Sequence, residues 1–191
     1  MEDFDSLEEA VLGIKRGKKR VNSKRKGIRN EYAVAQYLSK WTGQEFVRIP
    51  ASGGLRWKNA QNICGDLLCT NLDYKFPFAV ETKHLKNGLV IRPTLSNGSH
   101  FYKVWVQAKE DAERASLFPM IIVRHNGMKR QSWYVGLDAS TIEICGINKN
   151  MAVATSSPDA PFDLYIFESA IFAKYHDPQQ IINTVQAWLR R

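Results

Sequence analysis

Two acids and a lysine able to do acid–base or metal chemistry sit on or at the ends of the strands of one short apolar stretch, GDLLCTNLDYKFPFAVETKH, Gly65 to His84. Asp66 stands at its start, and Glu81 and Lys83 lie close together near its end. The stretch reads as two strands joined by a turn around Asp73–Pro77. Side chains alternate along a strand, so Glu81 and Lys83 share one face while Val80 and Thr82 take the other. Pairing of the two strands can set the Asp66 carboxylate beside Glu81. Two carboxylates ~4 Å apart repel by about 4 kcal/mol at an effective dielectric of roughly 20. A positive charge must accompany them. Lys83 alone can supply it, as a structural ion pair at a sheet edge. A divalent metal can supply it too, since hard carboxylate oxygens suit Mg²⁺, which keeps several waters for chemistry.

Glu31 favours the second reading. It precedes Val34, Ala35 and Leu38 at helical spacing, which puts it on the apolar stripe of a helix over Ile28–Trp41. An acid there is costly unless a cation or hydrogen bonds compensate it. A lone glutamate so placed is ordinarily satisfied at an edge. Three acids and a lysine that one packing could unite point to a site.

Residues 1–26 read as a flexible lead-in with one short helix over Ser6–Ile14. The helix Ile28–Trp41 carries Val34, Leu38 and Trp41 on one face. GQEFVRIP is a strand stopped by Pro50, and the polar, Gly-rich ASGGLRWKNAQNIC is a loop. The strands DLLCTNL and FAVETKHL follow, then NGLVIRPTLSNGS as a short extended piece and a loop. HFYKVWVQAKEDAERASLF is a helix with Val104, Ala108, Ala112 and Ala115 on one side, ended by Pro119. MIIVRH and SWYVGL are strands around an Asn126–Gly127 turn. The tail adds a strand, FDLYIF, and a helix, DPQQIINTVQAWL, started by Asp177 with Pro178 in its first turn. The order α, β, β, β, α, β, β suits a mixed sheet with helices on its faces. The βα alternation of a doubly wound fold is absent, and no Gly-rich phosphate loop follows a strand.

A chain of 191 residues can bury one real core. No apolar run approaches the ~18 residues of a membrane span. The acidic opening MEDFDSLEEA lacks the order of a secretory signal. Three cysteines, Cys64, Cys69 and Cys145, cannot all pair within the chain. A reducing compartment, the cytoplasm, is the expectation. Cys64 and Cys69 find no second pair to complete a zinc site. The net charge of +8 is uneven: Lys15 to Arg29 holds nine basic residues and no acid. Such an arm is either a solvated tail or a polyanion contact that gains free energy by releasing counterions from nucleic acid. Arg56, Trp57 and Lys58 place an aromatic between two cations, suited to nucleic acid or simply exposed in a loop. His84 is read as a packing residue, and Trp105, Trp133 and Trp188 as core or dimer-interface residues.

GD at 65–66, fourteen intervening residues and ETK at 81–83 resemble the PD-(D/E)XK nuclease signature, with Gly65 in place of its proline. KGIRNEYAVAQYLSKWTGQEFVRIPASGG, Lys26 to Gly54, is similar to the opening of archaeal-type Holliday junction resolvases, and YKVWVQAKEDAERASLFPMIIVRH resembles their later helix and strand. The match spans about residues 26–136; the loop between Ser52 and Asp66 is longer than usual, and the segment after Leu137 has no counterpart. The resemblance implies an α/β, restriction-endonuclease-like mixed central sheet flanked by helices, with a C-terminal extension. It divides the chain into a flexible basic arm (1–26), a nuclease core (27–136) and an extension packed on the core or forming an interface (137–191).

It further implies that Asp66, Glu81 and the Thr82 carbonyl hold Mg²⁺, with Mn²⁺ as a substitute. Lys83 would orient the attacking water, and Glu31 would complete or support the metal site. Arg48, Ser52 and Gln107 would touch substrate or support the site. Lys18, Lys19, Arg20, Lys24, Arg25, Lys26, Arg29, Arg56 and Lys58 would contact DNA. The expected activity is metal-dependent DNA cleavage, as a homodimeric Holliday junction resolvase acting on branched or duplex DNA, with no membrane partner. The rivals are a sequence-specific homing or restriction-type endonuclease on the same scaffold and a non-catalytic DNA-binding protein.

Overall fold

Helix α1, Ser23–Thr42, buries Val34, Ala35 and Leu38 as the helical spacing requires. It begins at Ser23 rather than Ile28, so Lys24, Arg25 and Lys26 stand on its first turns and not in a flexible lead-in. Lysine and arginine are good helix formers, and a helix can run on through residues that show no apolar period. The computed structural model describes residues 23–50, 64–86, 100–152 and 163–191. The expected helix over Ser6–Ile14, all of the Gly-rich loop but Cys64, and the whole extended piece NGLVIRPTLSNGS lie outside them.

Among the described residues, six strands form one sheet in the order β1-β2-β3-β4-β5-β6. They are β1 Phe46–Arg48, β2 Leu67–Cys69, β3 Phe78–Leu85, β4 Phe118–His125, β5 Tyr134–Asp138 and β6 Leu164–Glu168. All neighbouring pairs are antiparallel except β3 and β4, which run parallel through the crossover helix α2, His100–Arg114. Alternation along the strands divides the core into two layers. Val80, Met120 and Ile122 pack with Val34 and Leu38 of α1, whereas Ile121 and Val123 pack with Phe101, Val104 and Trp105 of α2. This is the mixed, helix-flanked sheet expected, and it is consistent with a restriction-endonuclease-like fold.

Pro119 does not end α2. The helix stops at Arg114, the Leu117 N–H bonds back to the Ala112 carbonyl at 2.9 Å, and Pro119 lies inside β4. Phe118 donates to the Pro77 carbonyl on the β3 side at 2.8 Å, so an N–H at 119 would face β5. β5 pairs only from Ile121 onward, and the missing donor costs no ladder bond. The link between β4 and β5 spans 126–133, longer than a turn on Asn126 and Gly127 alone, although Gly127 does take φ +90°.

Beyond β5 the chain forms α3, Ala139–Cys145, a 3₁₀ turn Lys149–Met151, then β6, α4 (Ser169–Tyr175) and α5 (Pro178–Leu189). Helices α3 and α4 were not expected, because seven residues show too little periodicity to read. Helix α5 starts as predicted, with the Asp177 carboxylate accepting the Gln180 N–H at 2.7 Å. Cys145, Phe172, Ile181 and Val185 from these helices join the α1-side core. Trp105 and Trp133 are buried as expected, whereas Trp188 is 44 % exposed and only edges against Phe118. The three thiols are unpaired. Among the described residues no helix is long and apolar enough to cross a membrane.

Candidate active site

Strand β3 presents Glu81 and Lys83 on its α2 side, in register with Ile121 and Val123 of β4. Asp66 is brought to the same strand from just before β2. Its N–H donates to the Val80 carbonyl at 2.8 Å, and its carbonyl accepts the Ile49 N–H at 2.9 Å. Its Oδ2 accepts the Thr82 N–H at 2.9 Å and the Thr82 hydroxyl at 3.2 Å. The carboxylate is thereby fixed against β3 while its residue is only 8 % exposed. A residue's N–H and C=O leave a strand on the same side, so the Thr82 carbonyl projects from the edge that Asp66 occupies. β2 pairs with β3 only at Leu67 and Val80. Among the described residues, Glu81–Leu85 has no strand on that edge.

Gly65 explains the departure from the nuclease signature. Its φ is +76°, and an added Cβ would lie 2.5 Å from the Val80 carbonyl oxygen. Proline, held near φ −65°, cannot adopt this backbone, and no side chain fits the approach.

Glu81 reports the field of the site. Its carboxyl is pushed from 4.5 up to about 7, by burial first and by the Asp66 charge next; Lys83 lowers it and Glu31 raises it. Lys83 Nζ stands 3.1 Å from Glu81 Oε1. One ammonium at contact therefore does not outweigh burial plus a second carboxylate. A simple structural ion pair would hold the glutamate below its ordinary value. Two buried carboxylates, beside a strand carbonyl that projects from the open edge of β3, are a donor set that fits a hard divalent cation.

Glu31 lies within electrostatic reach of Glu81, but its carboxylate is engaged by the Arg48 guanidinium at the end of β1. Among the described residues no group of three or more His, Cys, Asp or Glu side chains gathers closely enough to hold a metal. The structure thus unites Asp66, Glu81, Thr82 and Lys83, with Glu31 and Arg48 as a neighbouring pair. Lys24, Arg25 and Arg29 are exposed on α1, Lys26 is half-buried there, and Gln107 is exposed on α2. Lys18, Lys19, Arg20, Ser52, Arg56 and Lys58 lie outside the described residues.

Arg114 was not anticipated. Burial pushes the Cys64 thiol up to about 11 while the Arg114 charge pulls it down, which places this α2 guanidinium near the residues leading into Asp66. It also pairs with Asp111. One arginine among the many charges of α2 carries no signal in the sequence.

The sequence profile of the family described as "Phage putative PDDEXK endonuclease" matches residues 22–183. Protein D14 of Escherichia phage T5 is 25 % identical over 150 residues, covering 78 % of this chain and 91 % of that protein. No solved structure matches significantly. The profile covers most of the chain, both the Asp66–Lys83 segment and the elements that follow β5 as far as the first half of α5. The chain belongs to this phage PDDEXK endonuclease family.

Proposed function

From that membership we propose that the chain is a divalent-metal-dependent endodeoxyribonuclease working through Asp66, Glu81, Thr82 and Lys83, and that it cuts four-way DNA junctions as a homodimer. The observation that carries the site is its geometry: the Asp66 carboxylate is pinned to the Thr82 N–H and hydroxyl at 2.9 and 3.2 Å on the strand whose Glu81 meets Lys83 Nζ at 3.1 Å, and burial with the Asp66 charge raises the Glu81 carboxyl. Nothing in packing requires two carboxylates to be desolvated together.

Asp66, Glu81 and the Thr82 carbonyl would hold the cation. Bound there, Mg²⁺ or Mn²⁺ would supply charge neutralisation and acidified water for attack on phosphorus. The chain's own residues do the positioning. The Thr82 N–H and hydroxyl fix the rotamer of Asp66. Lys83 hydrogen-bonds the attacking water and steadies charge on the phosphate oxygens. Glu31, tied to Arg48, supports the site from α1. Lys18, Lys19, Arg20, Lys24, Arg25, Lys26 and Arg29 would track phosphates without reading sequence, and Arg48, Ser52, Arg56, Lys58 and Gln107 would contact nearer the cut.

The resemblance of residues 26–136 to junction resolvases supports the branched substrate. Symmetrical cutting of a junction calls for two sites related by a dyad, hence the homodimer. The test is cleavage of a synthetic four-way junction against linear duplexes of many sequences, with Mg²⁺ and with Mn²⁺, alongside sedimentation of the protein. Preferential junction cutting by a dimer is expected. Asp66→Asn or Lys83→Ala abolishes cutting while junction binding largely persists. Sequence-specific cutting of linear DNA would instead favour the restriction-type reading. Full activity in either variant would remove these residues from the chemistry.

A further inference from the structure

The C-terminal ends of β3 and β4 hold a second group of charges that the carboxylate site does not use. His84 and Arg124 are register neighbours on the two parallel strands, on the α1 side of the sheet. Lys26, in the first turns of α1, donates through Nζ to the Asn126 side-chain oxygen. Burial first, and then the charges of Lys26 and Arg124, hold the His84 pKa below its ordinary value; His125 adds to the effect, and a hydrogen bond with the Asn126 side chain opposes it. His125, next along β4, turns to the opposite, α2-side face, where it lies stacked 6.4 Å from the Tyr134 ring.

Neither Lys26 nor Arg124 has a carboxylate partner among the described residues. Arg124 spends its NH2 group on the Met128 and Lys129 carbonyls, while its Nε and the His84 Nε2 are buried with no partner at all. Buried polar groups are normally satisfied, and like charges are normally spread apart. A packed group that does neither, at the strand end just beyond Lys83 and on the opposite face of β3, is suited to an anion.

We propose that this cluster of Lys26, His84 and Arg124 binds a backbone phosphate of the DNA being cut, about three nucleotides from the scissile bond. His84 stands three residues beyond Glu81, or roughly 10 Å at ~3.3 Å per strand residue. A DNA strand advances ~3.4 Å per nucleotide, so the two sites span about three nucleotides. The edge of β3 that connects them bears no strand among the described residues, which leaves a path for the backbone. Asn126 aligns Lys26, and the turn carbonyls of Met128 and Lys129 orient Arg124. The proposal rests on the nuclease reading, and the cluster supplies affinity and register rather than chemistry.

The experiment measures duplex and junction binding in EDTA, so that no cleavage intervenes, for the wild-type chain and for Lys26→Gln, Arg124→Gln and the double variant. The double variant is expected to bind about tenfold more weakly at 100 mM salt. The slope of log K against log salt should fall by roughly 0.9 for each phosphate that is no longer neutralised. Replacing single phosphates by methylphosphonates should weaken wild-type binding most about three nucleotides from the cut, and the double variant should be indifferent to that position. Thermal melting checks folding; if Arg124→Gln melts early, the variant Lys26→Gln in the first turns of α1 carries the comparison alone. A wild-type chain that cuts DNA, with variants that keep its affinity and salt slope, overturns the proposal and leaves the nuclease reading standing. Competition by millimolar inorganic phosphate that depends on the cluster, with DNA affinity unchanged, marks a free-anion site and also overturns it. A wild-type chain that binds no DNA overturns both.

Discussion

Glu81 ionises at about 7 in the folded chain, against 4.5 when unperturbed. Between those values the folded state binds more protons than the unfolded one, so stability falls as pH rises and the loss is complete above about 7. A shift of this size corresponds to roughly 3 kcal/mol, and the side chain is only 12 % exposed, so solvent screens little of it. In EDTA, Glu81→Gln is therefore expected to be more stable than wild type at pH 8 by about 1–3 kcal/mol, and nearly equal at pH 4.5. Thermal melts across that range measure the difference; parallel pH curves for the two proteins would mean that the carboxylate carries no such strain. Mg²⁺ should reverse the order, raising the wild-type melting temperature by binding the native state alone, with little effect on Glu81→Gln. Asp66, Glu81 and Lys83 were legible because strand alternation fixes which side chains share a face. The engagement of Glu31 by Arg48 was not, because it depends on how β1 lies against β2 and α1, and three strand residues carry no such information.

At the scale of elements, the approach of the Asp66 segment to β3 depends on a glycine. Gly65→Ala must adopt φ +76° with its Cβ 2.5 Å from the Val80 oxygen. The conformation alone costs about 1–2 kcal/mol, and relief of the clash pushes Asp66 away from Thr82. The variant is expected to lose stability in urea and to lose nearly all cleavage even where it remains folded. A useful contrast is Asp177→Ala, which removes the α5 cap to Gln180 and should cost about 1 kcal/mol with cleavage intact, since α5 lies in the α1-side core and bears no site residue. If both variants lost stability equally and kept activity, the Gly65 turn would not be what places Asp66. Strand β3 and the start of α5 were readable because each carries its own signal, alternation in one and a capping Asp-Pro in the other. The end of α2 was misread because proline usually stops helices, and only the sheet shows that residue 119 needs no donor.

For the whole molecule, the part after Leu137 is where sequence said least, since α3 and α4 are too short to show a period. It nonetheless completes the sheet. β6 pairs with β5 over five residues, from Tyr134 with Glu168 to Asp138 with Leu164. Leu164, Phe167 and Phe172 are fully buried, and Tyr37 and Trp41 of α1 donate to the Ser169 and His176 carbonyls at 2.9 Å. Removing these residues would strip α1 of its partners at the end opposite Lys26, leave β5 as an unpaired apolar edge, and open a core that small domains cannot spare. A chain truncated after Ala152 is therefore expected to show no cooperative melting transition by circular dichroism and no cleavage. A truncated chain that melts cooperatively near the wild-type temperature would make 153–191 a separable appendage, free to carry partner or substrate specificity alone. With the extension built into the core instead, substrate preference has to be sought in point substitutions on the surfaces flanking β3, because no deletion of this region leaves a nuclease to assay.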